Sequence, residues 1–408
     1  MIPKITYCIP SKNNLEYLKL CIPSIRDNAH RFDHAISVFV DADDEERSTV
    51  KWLRENKEKY DLDIHINPFL GSKLFGIGKA YDYLIYNSET EIFSIFHADM
   101  VLGKDADLKA FEQLEKGKVV CSTRVEPPLH PNAGEKIIRA FGIWPEEFVE
   151  KGFNAFVEGS LNDTRVTGGV FAPWMMYKDD YRKIGGHDPA LKSAREDSDV
   201  FNRLSLAGFE FRQVWSSLVY HFTGRGGQFQ HGSVQGEKDK EWQKLMNNST
   251  REFIRKWGTG VKHTAMMEPI TSPKLDTSIV LENATPDLLE ALEPWCNRIY
   301  VDSNLIGPYI EKEQENTDSQ LLYRVLDKEE DLETGDIIYR LDGKTFSGQD
   351  FAILNQLSDI IHAQGNTGSK FKVQNFIIEV RQIVDSKDRL IYIKSKFDER
   401  SSKEAIQN

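Results

Sequence analysis

The sequence predicts an α/β fold, a larger domain with a mostly parallel central sheet followed by a smaller C-terminal α/β domain. Three observations predict it. Short apolar runs rich in β-branched residues alternate with segments of helical period. The first runs each close on a polar or acidic cluster. The alternation lapses into Gly, Pro and polar residues at 259–274 and then resumes.

The first unit is residues 5–9, a β-prone run closed by Pro10-Ser11-Lys12-Asn13-Asn14, after which Leu15, Leu18, Ile22 and Ile25 recur at helical spacing. The second is a buried-strand run at 35–40, ending at Asp41-Ala42-Asp43-Asp44 and followed by a charged helix over 45–59. A third strand is expected at 62–66, a helix at 76–88, and a buried strand in Glu91-Ile92-Phe93-Ser94-Ile95-Phe96. Strands alternating with helices make a parallel sheet, and such sheets bind ligands beyond the carboxyl ends of their strands. That rule directs attention to 10–13, to 41–44 and to His97-Ala98-Asp99.

The segmentation expected is a catalytic domain over 1–263, a linker over 264–274 and a C-terminal domain over 275–408. A strand at 277–281, a helix at 286–295 and a strand at 298–302 open the second domain. Its run Asp336-Ile-Ile-Tyr-Arg-Leu-Asp342-Gly343-Lys344 lies well beside Glu91-Ile-Phe-Ser-Ile-Phe-His97-Ala98-Asp99, as in a degenerate partial repeat. In that alignment Lys344 stands where Asp99 stands, and an ammonium cannot ligate a cation.

Composition narrows the function. With 408 residues, 40% hydrophobic content, 23 Phe, 14 Tyr and 7 Trp, the chain can bury more than one core. A net charge of -12 argues against broad electrostatic binding of nucleic acid or of an anionic membrane. The four cysteines show no CxxC spacing, which fits reduced thiols and a cytoplasmic compartment. No signal-like segment and no run long enough to span a membrane is expected.

His97 and Asp99 sit at i and i+2 of an extended segment, so both can face one side and ligate a metal. An Asp at a strand end also caps turns, and the tripeptide alone leaves both readings open. Arg195-Glu196-Asp197-Ser198-Asp199 opens an expected helix, where a carboxylate can serve as a base or simply as a cap. Gly71 to Lys79 mimics a phosphate-binding loop but fails its spacing: Lys73 occupies the place of the first glycine, and Ala80 lacks the required hydroxyl. Arg124-Val-Glu-Pro-Pro and His130-Pro131 read as a turn-rich connector, which can hang over the donor site or be an ordinary surface loop, the second favoured by loop statistics.

Around these lie Gly168-Gly169-Val-Phe-Ala-Pro-Trp174, Ile184-Gly185-Gly186-His187-Asp188, Leu206-Ala207-Gly208-Phe209 and Val219-Tyr220-His221-Phe222-Thr-Gly-Arg225. The ordered set over 3–230 resembles the inverting glycosyltransferases of the family 2 type, which have the GT-A fold. The resemblance implies a nucleotide-sugar-binding domain transferring a hexosyl or N-acetylhexosaminyl group to a hydroxyl of a glycan or other acceptor. It puts Pro10, Ser11, Asn13, Asp41, Asp43, Lys79, His97, Ala98 and Arg225 at the nucleotide sugar, with UDP preferred to GDP. It makes Asp197 the catalytic base, Trp174 and Glu196 acceptor-binding, and Asp99 and His221 metal ligands. His97 replaces the first acid of the usual DxD motif; imidazole suits softer ions, so Mn2+ is expected ahead of Mg2+. Two other functions stay open, a GT-A-fold carbohydrate- or sugar-nucleotide-binding protein without turnover and a nucleotidyltransferase. The latter wants a glycine-rich loop after the first strand, and 10–14 contains no glycine.

Overall fold

A computed structural model describes residues 2–224 and 240–397. The chain forms two compact units. The first comprises Met1–Leu245, His263–Pro269 and Tyr392–Asn408, and the second Met246–Lys262 and Ile270–Ile391.

The first unit opens with strand β1 (Ile5–Lys12), a helix at Leu15–Asn28, β2 (Ala35–Ala42), β3 (Leu62–Ile66), a helix at Ile77–Asn87 and β4 (Ile92–Ile95). β1, β2 and β4 are buried along nearly their whole length, as parallel strands covered on both faces must be. The helix Leu15–Asn28 buries Tyr17, Leu18, Cys21, Ile22 and Ile25, one stripe of its surface.

The charged helix after β2 begins at Ser48, later than its composition suggests. Asp43 and Asp44 hold its first turn from outside: Asp44 accepts from Ser48 N at 2.8 Å, and Asp43 from Thr49 N and Val50 N at 3.1 and 2.9 Å. The helix then breaks at Asn56, whose side-chain amide donates to the Trp52 carbonyl at 2.9 Å.

The remaining strands are β5 (Met100–Leu102), β6 (Lys118–Glu126), β7 (Ile137–Ile138), β8 (Val166–Thr167), β9 (Trp174–Tyr177) and β10 (Glu210–His221). The sheet runs β3-β2-β1-β4-β9-β6-β10-β5, with β7 on β6 and β8 on β10. It is parallel from β3 through β4 and mixed beyond, where β9 pairs antiparallel with β4 and β6, and β5 antiparallel with β10.

The second unit carries β11 (Thr277–Glu282), β12 (Arg298–Val301), β13 (Val325–Asp327), β14 (Ile337–Asp342), β15 (Lys370–Val373) and β16 (Phe376–Val380). Their order is β13-β12-β11-β14-β16-β15. The first four are parallel, and β16 pairs antiparallel with both β14 and β15. Ile279, Leu281, Ile299, Val301, Ile337, Leu341, Phe376 and Ile378 form its core. Among the described residues, no helix of the chain is long and apolar enough to cross a membrane.

Candidate active site

β5 positions the site. It pairs with the end of β10 in the register His221↔Met100, and Phe222 N donates to the Asp99 carbonyl at 3.1 Å. The turn between β4 and β5 therefore lies alongside residue 221, more than a hundred positions away in sequence. His97, Asp99 and His221 each aim one potential ligand atom into a common space, all within 4.8 Å of one another. The His221 Nε2 is 3.6 Å from Asp99 Oδ1, and the two imidazole rings are 5.7 Å apart between centroids.

The other nitrogen of His221 is fixed. Nδ1 hydrogen-bonds to Glu126 Oε1 at 2.8 Å, and a carboxylate can only accept, so Nδ1 is the donor there and Nε2 is the nitrogen left facing Asp99. Glu126 is held in turn by Arg124 Nη1 at 2.7 Å and Lys136 Nζ at 2.9 Å. Glu135 completes this buried cluster, 3.7 Å from Lys136 and 3.9 Å from Arg124. Burial works to raise the Glu126 carboxyl, but the His221 hydrogen bond, then the His221 and Arg124 charges, overcome it and hold it well below the usual carboxylate range. Burial pulls the His97 imidazole down to about 4 against the opposing charge of Asp99, so at neutral pH it is uncharged and has a lone pair to give.

A cavity of about 550 Å³ opens over these groups. Its wall includes Pro10 in β1 and Asn14 just beyond it, Ile77 and Tyr81 from the helix Ile77–Asn87, His97, Ala98 and Asp99, and Arg124, Glu126, Glu135, Lys136 and His221. Two imidazoles and a carboxylate with converging donors can hold a divalent cation.

The expected site residues divide into those at this wall and those away from it. Pro10, His97, Ala98, Asp99 and His221 line it. Glu196 and Asp197 open the helix Glu196–Leu206 and stand outside the lining, yet both are felt electrostatically at Tyr81 and Asp197 at His97. Burial, then the neighbouring Asp197, push the Glu196 carboxyl up to about 8. Asp197 Oδ1 accepts from Ser198 N at 2.6 Å.

Ser11, Asn13 and Lys79 are not among the lining residues. Asp41 accepts from Phe75 N at 2.6 Å, Gly76 N at 3.0 Å and Asn67 Nδ2 at 2.9 Å, which ties the segment 67–76 to the end of β2. Asp43 holds the helix start described above. Trp174 begins β9, is 3% exposed and packs against Phe93, Tyr181 and Phe201 rather than the cavity. Arg225 lies outside the described residues.

The glycines before Lys79 serve packing. A Cβ on Gly78 would stand 2.9 Å from the Cβ of His187, and Gly76 has φ +97°. The segment 124–126, expected as a connector, is instead the buried end of β6 and supplies the cation cluster behind His221. The i, i+2 spacing of Arg124 and Glu126 was the available signal, hidden by Pro127 and Pro128 immediately after it. Tyr81 was signalled only by its helical spacing from Ile77.

Residues 6–185 match the profile of the family described as glycosyl transferase family 2. That segment is a family 2 glycosyl transferase domain. The fold class is accordingly α/β of GT-A type, with a second, smaller α/β sheet in the C-terminal region. The match to the family 2 domain takes in His97, Ala98 and Asp99 and ends before Glu196, Asp197 and His221. Similar solved structures include GalNAc-T7 with UDP, GalNAc and Mn2+, at 11% identity and TM-score 0.45 over 62% of this chain and 48% of that one. S. aureus TarS aligns at 11% identity and TM-score 0.39 over 62% of this chain and 44% of that one. The chain thus spans about half the length of these solved proteins. No curated protein matches the chain.

Proposed function

We propose that the family 2 domain is an inverting, metal-dependent transferase, moving a hexosyl or N-acetylhexosaminyl group from a nucleotide diphosphate sugar to an acceptor hydroxyl. The observation that carries this reading is the convergence of His97, Asp99 and His221 at one wall of the cavity. These three hold the cation, Mn2+ ahead of Mg2+, with His97 joining the expected pair. A bound divalent cation supplies charge to the leaving diphosphate. Glu126 keeps the His221 Nε2 lone pair turned toward that position. Asp197 takes the proton of the acceptor hydroxyl, and attack from the face opposite the diphosphate inverts the anomeric centre. Glu196 binds the acceptor beside it. Pro10 lies at the nucleotide end of the wall. UDP-sugars are the first donors to try, on resemblance.

The C-terminal unit is read as a degenerate partial copy of the first. Both sheets place their first four strands in the order third, second, first, fourth, all parallel, and then add an antiparallel strand. At the strand ends of the second sheet the Lys328 ammonium pairs with Glu282 and lies 3.2 Å from Asp302. An internal cation thus occupies the acidic strand ends, which suits a packing or acceptor-binding role.

The test is nucleotide release from UDP-, GDP- and dTDP-sugars by the full chain in Mn2+, Mg2+ or EDTA, with NMR of the sugar product. Metal-dependent release of one nucleotide with an inverted anomer is expected. Absence of release from every donor, together with absence of metal-dependent nucleotide binding, overturns the reading in favour of a binding protein without this chemistry.

A further inference from the structure

Tyr81 takes no part in the reading above, yet it belongs to the same cavity wall. It sits one turn after Ile77 on the helix Ile77–Asn87, and both residues face the cavity. The side chain is 3% exposed. Its ring stacks on His187, with centroids 5.7 Å apart and planes within 20° of parallel. His187 is itself clamped, because Asp82 Oδ1 meets its Nδ1 at 2.9 Å and accepts from its backbone N at 3.0 Å. The phenol therefore has one orientation available to it.

Its hydroxyl has no hydrogen-bond partner among the described residues. A buried polar group at a cavity wall with nothing to bond is costly, and a ligand oxygen is the natural remedy. The surroundings say which half of a hydrogen bond it offers. Burial, then the charges of Glu196 and its other neighbours Cys8, Asp99 and Asp197, push the phenol well above its ordinary value, so it remains a proton donor at any working pH. The group it meets must be an acceptor. Tyr81 shares the cavity wall with Asp99, beside which a cation-bound diphosphate would lie, so the acceptor offered to it is an oxygen of the donor.

We propose that the Tyr81 hydroxyl binds the nucleotide-sugar donor, donating a hydrogen bond to an oxygen of its sugar-diphosphate portion. This rests on the transferase reading and names a donor contact within it. Tyr81→Phe deletes the hydroxyl and keeps the ring on His187.

The experiment is calorimetry of wild type and Tyr81→Phe with Mn2+ alone, and then with UDP-, GDP- and dTDP-sugars in Mn2+, beside thermal melts of both proteins. Mn2+ affinity should be equal, and the melting temperature of the variant equal or higher, since an unpaired buried group has been removed. For the sugar nucleotide that wild type binds, the variant Kd should rise about five- to tenfold, the worth of one neutral hydrogen bond. An unchanged Kd overturns this inference and leaves the transferase reading standing. A lowered melting temperature with weakened Mn2+ binding also overturns it, because the hydroxyl would then be structural. If wild type binds no sugar nucleotide of the panel, the transferase reading fails and this inference fails with it.

Discussion

The Nδ1 of His221 lies 2.8 Å from the Oε1 of Glu126, a hydrogen bond buried between the ends of two neighbouring strands. A carboxylate behind an imidazole fixes its tautomer and increases its basicity toward a metal. Glu126→Gln keeps the shape and removes the charge. Mn2+ affinity should fall roughly 10- to 100-fold in this variant, measured by calorimetry. Retention of wild-type affinity would show that His221 needs no such partner.

Asp41 makes a different kind of contribution. Its carboxylate accepts from two backbone N–H groups, Phe75 and Gly76, and from Asn67, and it is 7% exposed. Asp41→Ala leaves those donors unpaired and should cost about 3 kcal/mol of stability, within the range for losing charge-assisted hydrogen bonds. Urea unfolding of the apoprotein would measure it. An unchanged midpoint would mean that Asp41 is free to serve a ligand instead.

The Glu196 carboxyl gives a signed pH dependence. In the folded chain it is pushed up to about 8 from an ordinary 4.5, so folding retains a proton that the unfolded chain has released. Native protein then binds more protons than unfolded protein, and this group's contribution to stability declines as pH rises from about 4.5 to about 8. Below the lower bound both states are protonated and nothing is lost. Unfolding of wild type and Glu196→Gln in EDTA across that window should show a shallower decline in the variant. Equal slopes would place the Glu196 carboxyl among ordinary carboxylates.

Gly78 should tolerate no side chain. The ideal Cβ would lie 2.9 Å from the Cβ of His187, the ring on which Tyr81 stacks. Gly78→Ala is expected to destabilise by about 1–3 kcal/mol through overpacking. A denaturant midpoint equal to that of wild type would show that the helix shifts without strain.

Three of the first four strands were legible because a parallel strand covered on both faces must be apolar throughout, and such runs stand out at 5–9, 35–40 and 91–96. Helix limits were less so: the charged helix expected from 45 begins at Ser48, and Asp43 and Asp44 cap it from outside. His97 and Asp99 declared themselves by spacing, whereas their meeting with His221 depends on the antiparallel pairing of β5 with β10, which no local period encodes. Trp174 shows the converse. The resemblance places it at the acceptor, but its strand pairs with both β4 and β6, and an interior strand buries its aromatic residues. The cluster of Arg124, Glu126, Glu135 and Lys136 went unseen because buried ion pairs look, in sequence, like surface charge.

The most direct test is Mn2+ binding followed by electron paramagnetic resonance in wild type, His97→Ala, Asp99→Ala and His221→Ala, with nucleotide release measured on the same samples. If His97, Asp99 and His221 hold one catalytic cation, wild type binds a single Mn2+ at the site, each variant loses it, and donor cleavage falls with it. Undiminished Mn2+ binding and cleavage in Asp99→Ala or His221→Ala would contradict the account.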